Sequence, residues 1–595
     1  MDDSAKLSGG GFAFGSMSAA RPDSAGLNRS RFRIALMGDF SGRAAKGELE
    51  TGSALAKRRA IKLDMDTVEA VIEGFATKLV LPIGNDGAGI EVELNELDDL
   101  HPDELFEKVE LFEALSDLKS RASSSSAADE LKAWGEEFGR PVRPPHRKSA
   151  GNSVPADMKL SDFQKLVGGA VKPKREASDV DALLARVVGP HIVKAPDANA
   201  QAMEAAVDDA LSGAMRLVLH HPDFQSVEAQ WRSLDLIART VETDNNLDIV
   251  LYDISAEEIA ADLAAADDLS ESGLYELLGE GTADGRGNFS ALVGLYTFEE
   301  TPPHAELLGR IARLAAHIDA PFFSAIAPEC LDTPMDERHP LVADAWDTLR
   351  AMPEAGHIGL ATPRFMLRRP YGAKSDPIYE FEFEEFTMQE GLKGLLWANP
   401  AVLITILLGR SFKTNGAAMK LGSLMSQGEI PFHYITDQYG DQVALPCTAR
   451  NLSEANAAKV VQRGLMPVVS IKGRDEIRLA SFQSLTGETI LGPWSGVAPP
   501  PPSPASVDTN TAADEASDEP VDEDEAELDS LLADLDLGGD DDDGDDSADA
   551  DADDSDDGDL DLDALLASFG DDDDSDDDDD DDDMDAELAA LLEGL

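Results

Sequence analysis

The stretch "VLHHPDFQSVEAQWRSLDLIA", residues 218–238, decides how the centre of this 595-residue chain is interpreted. Pro222 suits the first turn of a helix, because its missing N–H is not needed there. Apolar residues then recur at spacings of three and four, which places them on one helix face. That face consists of Phe224, Val227, Trp231, Leu234 and Ala238. The pattern predicts a packed helix that begins at Pro222.

His220 and His221 precede this helix and raise the question of a metal or acid–base site. Two ligands on one helix need a separation of three or four residues, and adjacent side chains point apart. We therefore expect the two histidines to belong to the start of the helix. The sequence also contains no P-loop, dinucleotide fingerprint, H-E-x-x-H or G-x-S-x-G motif. We predict no catalytic residue, no cofactor site, no metal site and no enzymatic activity.

The formal net charge of −69 is concentrated in one part of the chain. Residues 501–595 hold 43 Asp and Glu and no Lys or Arg, which leaves −26 for the first 500 residues. Such a chain lacks the basic stripe that nucleic-acid binding needs, and anionic lipid repels it. Cys330 and Cys447 are too few for a disulfide framework or a zinc cluster. We expect a cytoplasmic protein with reduced thiols and no membrane insertion.

The first part of the chain is predicted to be a Gly/Ser-rich, disordered N-terminus (1–29) and a small α+β domain (30–122). In this domain "RFRIALMGDFSG" alternates like a strand, and "IKLDMDTVEAVIEGF" predicts a strand followed by a helix capped by Asp66. "KLVLPI" and "GIEVELNEL" flank a hairpin turn. The stretch "HPDELFEKVELFEALSDLKSR", residues 101–121, predicts one helix.

Residues 123–177 are rich in Ser, Pro and Gly and predict a linker. Its short basic cluster lacks interleaved aromatics and is interpreted as solvated rather than as an anion site; it consists of Arg140, Arg143, Arg147 and Lys148. Residues 178–495 predict a larger mixed-sheet α/β domain, because apolar strands such as "FSALVGLYTF" alternate with helical patterns such as "HAELLGRIARLAAHI". The fold class is therefore α/β (α+β).

Residues 496–595 predict a Pro-rich exit and a disordered acidic tail with three copies of L-x-x-L-L-x-x-[LF]. Each copy puts four apolar residues on one side of a two-turn helix. Those residues are Leu528, Leu531, Leu532, Leu535, Leu562, Leu565, Leu566, Phe569, Leu588, Leu591, Leu592 and Leu595. The tail is either a solubilising chain or a ligand that docks these helices on an unknown partner. Calcium binding is the weakest alternative, because Ser555 and Ala564 stand where an EF-hand loop needs ligands.

Several of these stretches resemble a known family. Six stretches of the larger domain are similar, in this order, to the large contractile-sheath subunit (TssC/VipB) of type VI secretion systems. They are "LHHPDFQSVEAQWRSLDLIA", "FSALVGLYTFEETPPHAELLGRIARLAAHIDAPFFSAIAPE", "HIGLATPRFMLRRPYG", "EFEFEEF", "LWANPAVLI" and "RGLMPVVSIKGRDEIRLASFQSL". Three stretches of the small domain resemble the small sheath subunit (TssB/VipA). They are "RFRIALMGDFSGR", "IKLDMDTVEAVIEGF" and "ELNELDDLHPDELFEKVELFEALSDLKSR". The chain is thus identified as a fusion of the two subunits.

This resemblance implies a helical homopolymer that surrounds an Hcp-like inner tube, contacts baseplate components and contracts to propel the tube outward. It also implies strands shared between subunits and a helix recognised by a ClpV-type AAA+ ATPase. The candidate helix is "VDALLARVV", whose apolar residues are Val180, Leu183, Leu184 and Val187. The similarity stops near Trp494, which puts the usual strand sharing in question. The alternative function is an accessory protein with the sheath fold that caps or regulates assembly through its tail.

Overall fold

The computed structural model of this chain describes residues 12–20, 31–82, 89–121, 131, 133–134, 152–155, 177–193, 200–279, 288–388, 391–436, 442–496, 500–501 and 506–507. All of them lie in the first of two compact units, Met1–Asp541. The three tail repeats and the basic linker cluster lie outside the described residues.

The described strands are numbered in chain order. They are β1 Phe12–Ala13, β2 Phe32–Gly38, β3 Ile61–Leu63, β4 Thr77–Pro82, β5 Gly89–Leu94, β6 Leu247–Asp253, β7 Ala291–Phe298, β8 Phe322–Ile326, β9 Ile358–Thr362, β10 Phe365–Met366, β11 Trp397–Ala398, β12 Ser426–Gln427, β13 Tyr434–Thr436, β14 Gln442–Ala444, β15 Met466–Ser470, β16 Ile477–Leu479 and β17 Ser506–Val507.

The described helices are numbered in the same way. They are α1 Arg43–Lys46, α2 Val68–Phe75, α3 Pro102–Lys108, α4 Glu110–Arg121, α5 Val180–Val193, α6 Ala200–Leu219, α7 Pro222–Thr240, α8 Ala256–Ala265, α9 Gly273–Leu278, α10 Pro302–Ile318, α11 Pro340–Ala351, α12 Ala401–Asn415 and α13 Glu454–Gln462.

A nine-stranded mixed sheet organises the described residues, in the order β12-β16-β15-β9-β8-β7-β2-β6-β3. Its six central strands, from β15 to β6, are parallel, and the strands at both ends are antiparallel. This confirms the predicted α/β class and the partly parallel sheet. Parallel strands need crossover connections, and the intervening helices supply them.

Strand β2 shows why both faces of this sheet are buried. It pairs in parallel with β6 over its whole length and with β7 on its other side. Ile34 and Leu36 belong to one apolar core, and Ala35 and Met37 belong to a second core. The prediction of a strand is confirmed. Its polar position Arg33 is nevertheless buried, because β2 lies in the sheet interior and has no solvent face.

The predicted small and large domains therefore share one sheet. β2 and β3 come from residues 30–122, whereas every other strand of the sheet comes from residues 178–495. The domain boundaries stay a prediction. The structure adds that the small segment inserts a strand between two strands of the large one, so neither completes its sheet alone.

Most other predicted elements are confirmed, and two details are wrong. β4 and β5 form the predicted hairpin, and β6, β7, β8 and α10 lie where the apolar patterns place them. Residues 101–121 form two helices, because Val109 adopts an extended conformation between α3 and α4. Thr67, and not Asp66, occupies the N-cap position of α2.

The predicted disorder of residues 1–29 does not hold for residues 12–20. Phe14 is fully buried against α10, where a Cβ on Gly309 would lie 2.2 Å from its ring. The Ser16 N–H donates to the Asp267 carbonyl (2.9 Å), and the Leu269 N–H donates to the Ser16 carbonyl (2.8 Å). The phenylalanine anchor and these backbone hydrogen bonds order this Gly/Ser-rich stretch.

Candidate assembly interface

The first contact between the small and large segments is made by α7, which was predicted from the sequence. The Trp231 indole N–H donates to the Phe40 carbonyl (2.8 Å), and the Gln230 amide donates to the Asp39 carbonyl (2.8 Å). Gly38 lets these elements meet, since a Cβ there would lie 2.1 Å from the Gln230 side-chain oxygen. The end of β2 is thereby fixed against the helix.

A buried carboxylate forms the second contact. Glu258, at the start of α8, is 0% exposed and accepts two hydrogen bonds from Arg43 (2.9 and 3.0 Å). Arg58 donates to the same carboxylate (3.0 Å), and so does the Glu50 N–H. Glu258 also completes a capping box with Ser255, which fixes the start of α8. Both arginines belong to the small segment, so this helix start holds the two segments in register.

Two further acids lie beside this network, at the ends of the parallel strands β2 and β6. Burial, together with the nearby Asp253 charge, raises the pKa of Asp39 to about 8. Burial also raises the pKa of Asp253, although Ser41 donates to both of its carboxylate oxygens (2.7 and 3.1 Å). Asp39 in turn accepts the backbone N–H groups of Arg43 and Ala44. Three carboxyl groups, on Asp39, Asp253 and Glu258, therefore lie beside two arginines, and the raised pKa keeps Asp39 protonated near neutral pH.

A second buried cluster lies within the large segment. Arg368 donates to Glu228 (2.7 Å) and, through both terminal nitrogens, to Glu385 (2.6 and 2.9 Å). Although burial opposes it, the Arg368 charge lowers the pKa of Glu385 to about 2. Arg232 bonds both Glu228 and the Tyr371 hydroxyl (each 2.8 Å). The cluster therefore ties α7 to the stretches around residues 368–371 and 380–386.

The helices of the small segment make the third contact. The Asp103 carboxylate accepts the backbone N–H groups of Tyr379 (3.0 Å) and Glu380 (3.2 Å). The Phe106 ring stacks on Phe381 with centroids 5.2 Å apart. The two hydrogen bonds to Asp103 and the aromatic stacking together attach α3 to the "EFEFEEF" stretch of the large segment.

Short strands from distant parts of the chain pair beside the main sheet. β1 and β17 are antiparallel, with Phe12 opposite Val507 and Ala13 opposite Ser506. Arg310 donates to the Ala13 carbonyl (3.1 Å), and Arg313 donates to the Gly15 carbonyl. A residue pair just after the proline run is thus joined to the docked N-terminal segment. The disorder predicted for the acidic tail stays a prediction, because the residues after Val507 lie outside the described part of the chain.

Comparison with known proteins gives these interfaces their context. Residues 201–486 match the VipB family, described as EvpB/VC_A0108, tail sheath N-terminal domain. Over 352 residues the chain is 32% identical to the type VI secretion system sheath protein TssC1 of Pseudomonas aeruginosa. That alignment covers 55% of this chain and 70% of TssC1.

The chain belongs to the type VI secretion sheath family.

The small segment carries its own match within the same chain. Residues 29–128 match the family described as type VI secretion system, VipA, VC_A0107 or Hcp2. The VipA-like and VipB-like segments are therefore fused, as the sequence stretches indicate. The contacts around Trp231, Glu258 and Phe106 are the joint between the two sheath segments, and this joint lies inside one chain.

The structure places both histidines of this sheath protein at the start of α7. His221 is the N-cap residue, and its Nδ1 accepts the Asp223 N–H (3.2 Å). The His220 Nε2 lies 3.6 Å from a Glu385 carboxylate oxygen, beside the Arg368 cluster. The predicted helix start at Pro222 is confirmed, and its five apolar residues are all buried.

The residues proposed for ATPase recognition lie on α5. Leu183, Leu184 and Val187 are buried in the same core as α4 and α6, and Val180 is half-buried. Their role stays a prediction, and recognition would require this face to be released first. Within the part of the chain that the structure describes, no group of three His, Cys, Asp or Glu side chains is placed to hold a metal ion. No helix in the same part is long and apolar enough to cross a membrane.

The interface residues were missed by sequence analysis. Arg43, Arg58 and Glu258 carry no motif, and 118 acids in one chain hide any single carboxylate. One local signal was available. "SAEE" (255–258) fits the capping-box pattern S-x-x-E, which places a Glu at the third helical position. That signal predicts the helix start, but only the fold brings the arginines to it.

Proposed function

We propose that this protein is a structural protomer of a type VI secretion sheath, and that it polymerises around an Hcp-like inner tube and contracts to drive the tube out of the cell. Membership in the sheath family supports this role. The observation that carries it is the shared nine-stranded sheet, in which VipA-like and VipB-like segments form one pre-assembled unit. The work is mechanical and cytoplasmic, and it requires no catalytic residue or cofactor.

A sheath needs contacts between protomers that persist during contraction. The β1–β17 strand pair supports one way in which such contacts could form. Its two strands come from segments far apart in sequence and pair outside the main sheet. Two-residue strands gain little from pairing within one chain. The same edges, supplied by two neighbouring chains, would link protomers through backbone hydrogen bonds. This linkage would keep protomers connected while the lattice changes length.

The acidic tail supports a further element of the proposal. Its three L-x-x-L-L repeats would dock as short amphipathic helices in an apolar groove of a partner protein. Three equal copies on one chain would raise the apparent affinity through effective concentration. Baseplate components and a ClpV-type ATPase, acting on α5, are the other partners that the proposal includes.

Electron microscopy of the purified protein tests the proposed function. Negative staining, with and without inner-tube rings, is expected to show tubes with a helical lattice. Protein that stays as single particles at high concentration, with residues 508–595 removed and rings supplied, would contradict it. That outcome would favour the accessory role, in which the protein caps or regulates a sheath made by other subunits. The resemblance to the large sheath subunit stops near Trp494, and this is the feature that favours the second role.

A further inference from the structure

Three arginines surround one buried carboxylate just beyond the carboxyl end of β7. Glu300, two residues after this strand, accepts hydrogen bonds from Arg338 (2.9 Å) on one oxygen and from Arg463 (2.8 Å) on the other. The third arginine, Arg350 on α11, lies 3.9 Å from the same carboxylate, which is too far for a hydrogen bond. Ligands of open α/β sheets commonly bind outside the carboxyl ends of the strands. The cluster therefore lies at the edge of the sheet where such a ligand is expected.

A second carboxylate joins the cluster from the solvent side. One oxygen of Asp347, three residues before Arg350 on α11, lies 3.2 Å from Arg338 and 3.4 Å from Arg350. The side chains of these two arginines are only 5% and 15% exposed, whereas the Asp347 side chain is 61% exposed. An ion pair to an exposed side chain contributes little, because water competes for its charge. Asp347 is therefore a weakly held anion on two firmly placed cations.

Arg350 donates few of its five N–H groups to the protein. Its buried Nε has no hydrogen-bond partner within the described residues, and one terminal nitrogen makes only the 3.4 Å contact to Asp347. Burial lowers the pKa of Arg350, and the charges of Arg338 and Arg463 act in the same direction. The guanidinium carbon lies 5.7 Å from the centre of the Trp346 ring, within the range of a cation–π contact. A planar guanidinium group in this state is suited to bind an oxyanion through its two terminal nitrogens.

A phosphate group fits this place better than a carboxylate does. A phosphate monoester carries a charge of about −1.5 to −2 at pH 7 and three acceptor oxygens, so it can contact two guanidinium groups at once. Asp347 offers a single oxygen to both arginines, and each contact is longer than the ~2.7–2.9 Å of a strong charge-assisted hydrogen bond. The anion of higher charge is therefore expected to displace Asp347.

We propose that Arg338 and Arg350 form a binding site for a phosphate group, which Asp347 occupies as an exchangeable resident anion. The bound phosphate bridges the two guanidinium groups, while Glu300 keeps its hydrogen bonds to Arg338 and Arg463. This site does not depend on assembly, and its failure would leave the proposed sheath function untouched.

The same arginines give the site a structural consequence. Arg338 Nε donates to the Met335 carbonyl (3.1 Å), and Arg463 donates to the Thr333 carbonyl. Residues 332–337 are exposed, and these two hydrogen bonds attach them to α11 and to the end of α13. A phosphate that fixes Arg338 is expected to order this stretch further.

Titration calorimetry of the full-length protein with inorganic phosphate, at constant ionic strength, tests the proposal. Wild type is expected to bind in a saturable way. Arg350→Gln removes one side of the bridge and is expected to weaken binding by about tenfold or more. Asp347→Asn removes the competing anion and is expected to strengthen binding by about threefold or more. The control Asp344→Asn makes the same change in charge at an exposed position of α11 and is expected to bind within about twofold of wild type.

The Asp347→Asn result separates a binding site from a purely structural cluster, because only a site that Asp347 occupies gains affinity when that charge is lost. Unchanged or weaker binding in Asp347→Asn would overturn the proposal, and this exposed position keeps the test valid even if Arg350→Gln fails to fold. Acetate binding as tightly as phosphate would overturn it as well. ATP in place of inorganic phosphate identifies the source: tighter binding assigns the phosphate to a nucleotide, equal binding assigns it to free phosphate, and either result supports the site.

Hydrogen exchange locates the bound phosphate without relying on affinity. Saturating phosphate is expected to slow exchange of the amides of residues 332–338 in wild type and in Asp344→Asn, and not in Arg350→Gln. Amides of the β4–β5 hairpin are the internal reference and should not change. Protection elsewhere in the protein, with none at residues 332–338, would show that phosphate binds at another place and would overturn the assignment.

Discussion

At Glu385, a carboxylate with almost no solvent contact stays charged because Arg368 and the Tyr371 N–H bond both of its oxygens. Nothing in the sequence around Glu385 distinguishes it from the neighbouring glutamates. Its other near neighbour, His220, lies 165 positions away in the chain and was placed in contact only by folding. Long-range charge pairs of this kind could not be predicted, whereas the alternation of Phe and Glu that turns Phe381 and Phe383 toward the core is visible in the sequence.

Glu385→Gln is expected to lower the free energy of unfolding by about 3 kcal/mol, because it leaves Arg368 buried with one anionic partner fewer. The pKa of Glu385 lies below its ordinary value, so its stabilisation is present above about pH 4.5 and is lost as the pH falls toward 2. Urea unfolding at pH 7 and at acid pH measures both effects. Glu382→Gln, an exposed neighbour, is the control and should change stability by less than about 0.5 kcal/mol. An equal loss in the two variants would contradict the role assigned to burial.

Asp39 is expected to give the opposite pH dependence. Its pKa is raised to about 8 from an ordinary value of 3.8, so the folded state binds a proton that the unfolded state releases. The stabilisation from this group is fully present below about pH 4 and is lost as the pH rises through 8. Asp39→Asn removes this titration. The difference in unfolding free energy between wild type and variant should change by up to about 1.4 kcal/mol per pH unit between pH 4 and 8. A constant difference would show that Asp39 is charged in the folded protein.

At the scale of elements, α7 was predictable because two local sequence signals indicate the same helix. A proline at the first position and an apolar face at helical spacing indicate the same helix, and both are local. Residues 101–121 could not be resolved in the same way. Their apolar spacing continues across Val109, and only the packing of α3 and α4 reveals the extended residue between them. β2 was recognised as a strand, but its place in the sheet interior depends on β6 and β7, more than 200 residues away.

The docked N-terminal segment was missed because Gly and Ser dominate its composition. Phe14→Ala is expected to loosen residues 12–20 on α10, since truncating a buried Phe costs about 3–5 kcal/mol. Hydrogen exchange of Ser16 and Leu269 amides, which bond across this contact, should rise strongly. Phe12→Ala, a half-buried neighbour in β1, serves as the control and should have a smaller effect. Unchanged exchange in Phe14→Ala would mean that the backbone hydrogen bonds alone hold the segment.

At the scale of the whole molecule, the fusion of the two segments could be predicted from the sequence, whereas the sheet that they share could not. The two sheath-like segments can be recognised separately by resemblance, and so their order along the chain was predictable. Their interpenetration was not, because hydrophobic patterns indicate that a strand is buried but not which strands lie beside it. The nine-stranded sheet, with β2 enclosed between two strands of the other segment, makes the pair one folding unit.

Cleaving the chain between its two segments should therefore leave the two pieces bound to each other. A protease site introduced among residues 140–148, followed by cleavage, is expected to give two pieces that co-elute as one particle, because β2, the Glu258 network and the Phe106 stack cross the cut. Residues 160–595 produced alone should be insoluble, since β6 and β7 would then expose the edges that β2 covers. Glu258→Gln in the cut protein should weaken the association, because it removes the buried negative charge that Arg43 and Arg58 share. Pieces that separate in native buffer would show that the covalent link, and not the shared sheet, holds the two sheath segments together.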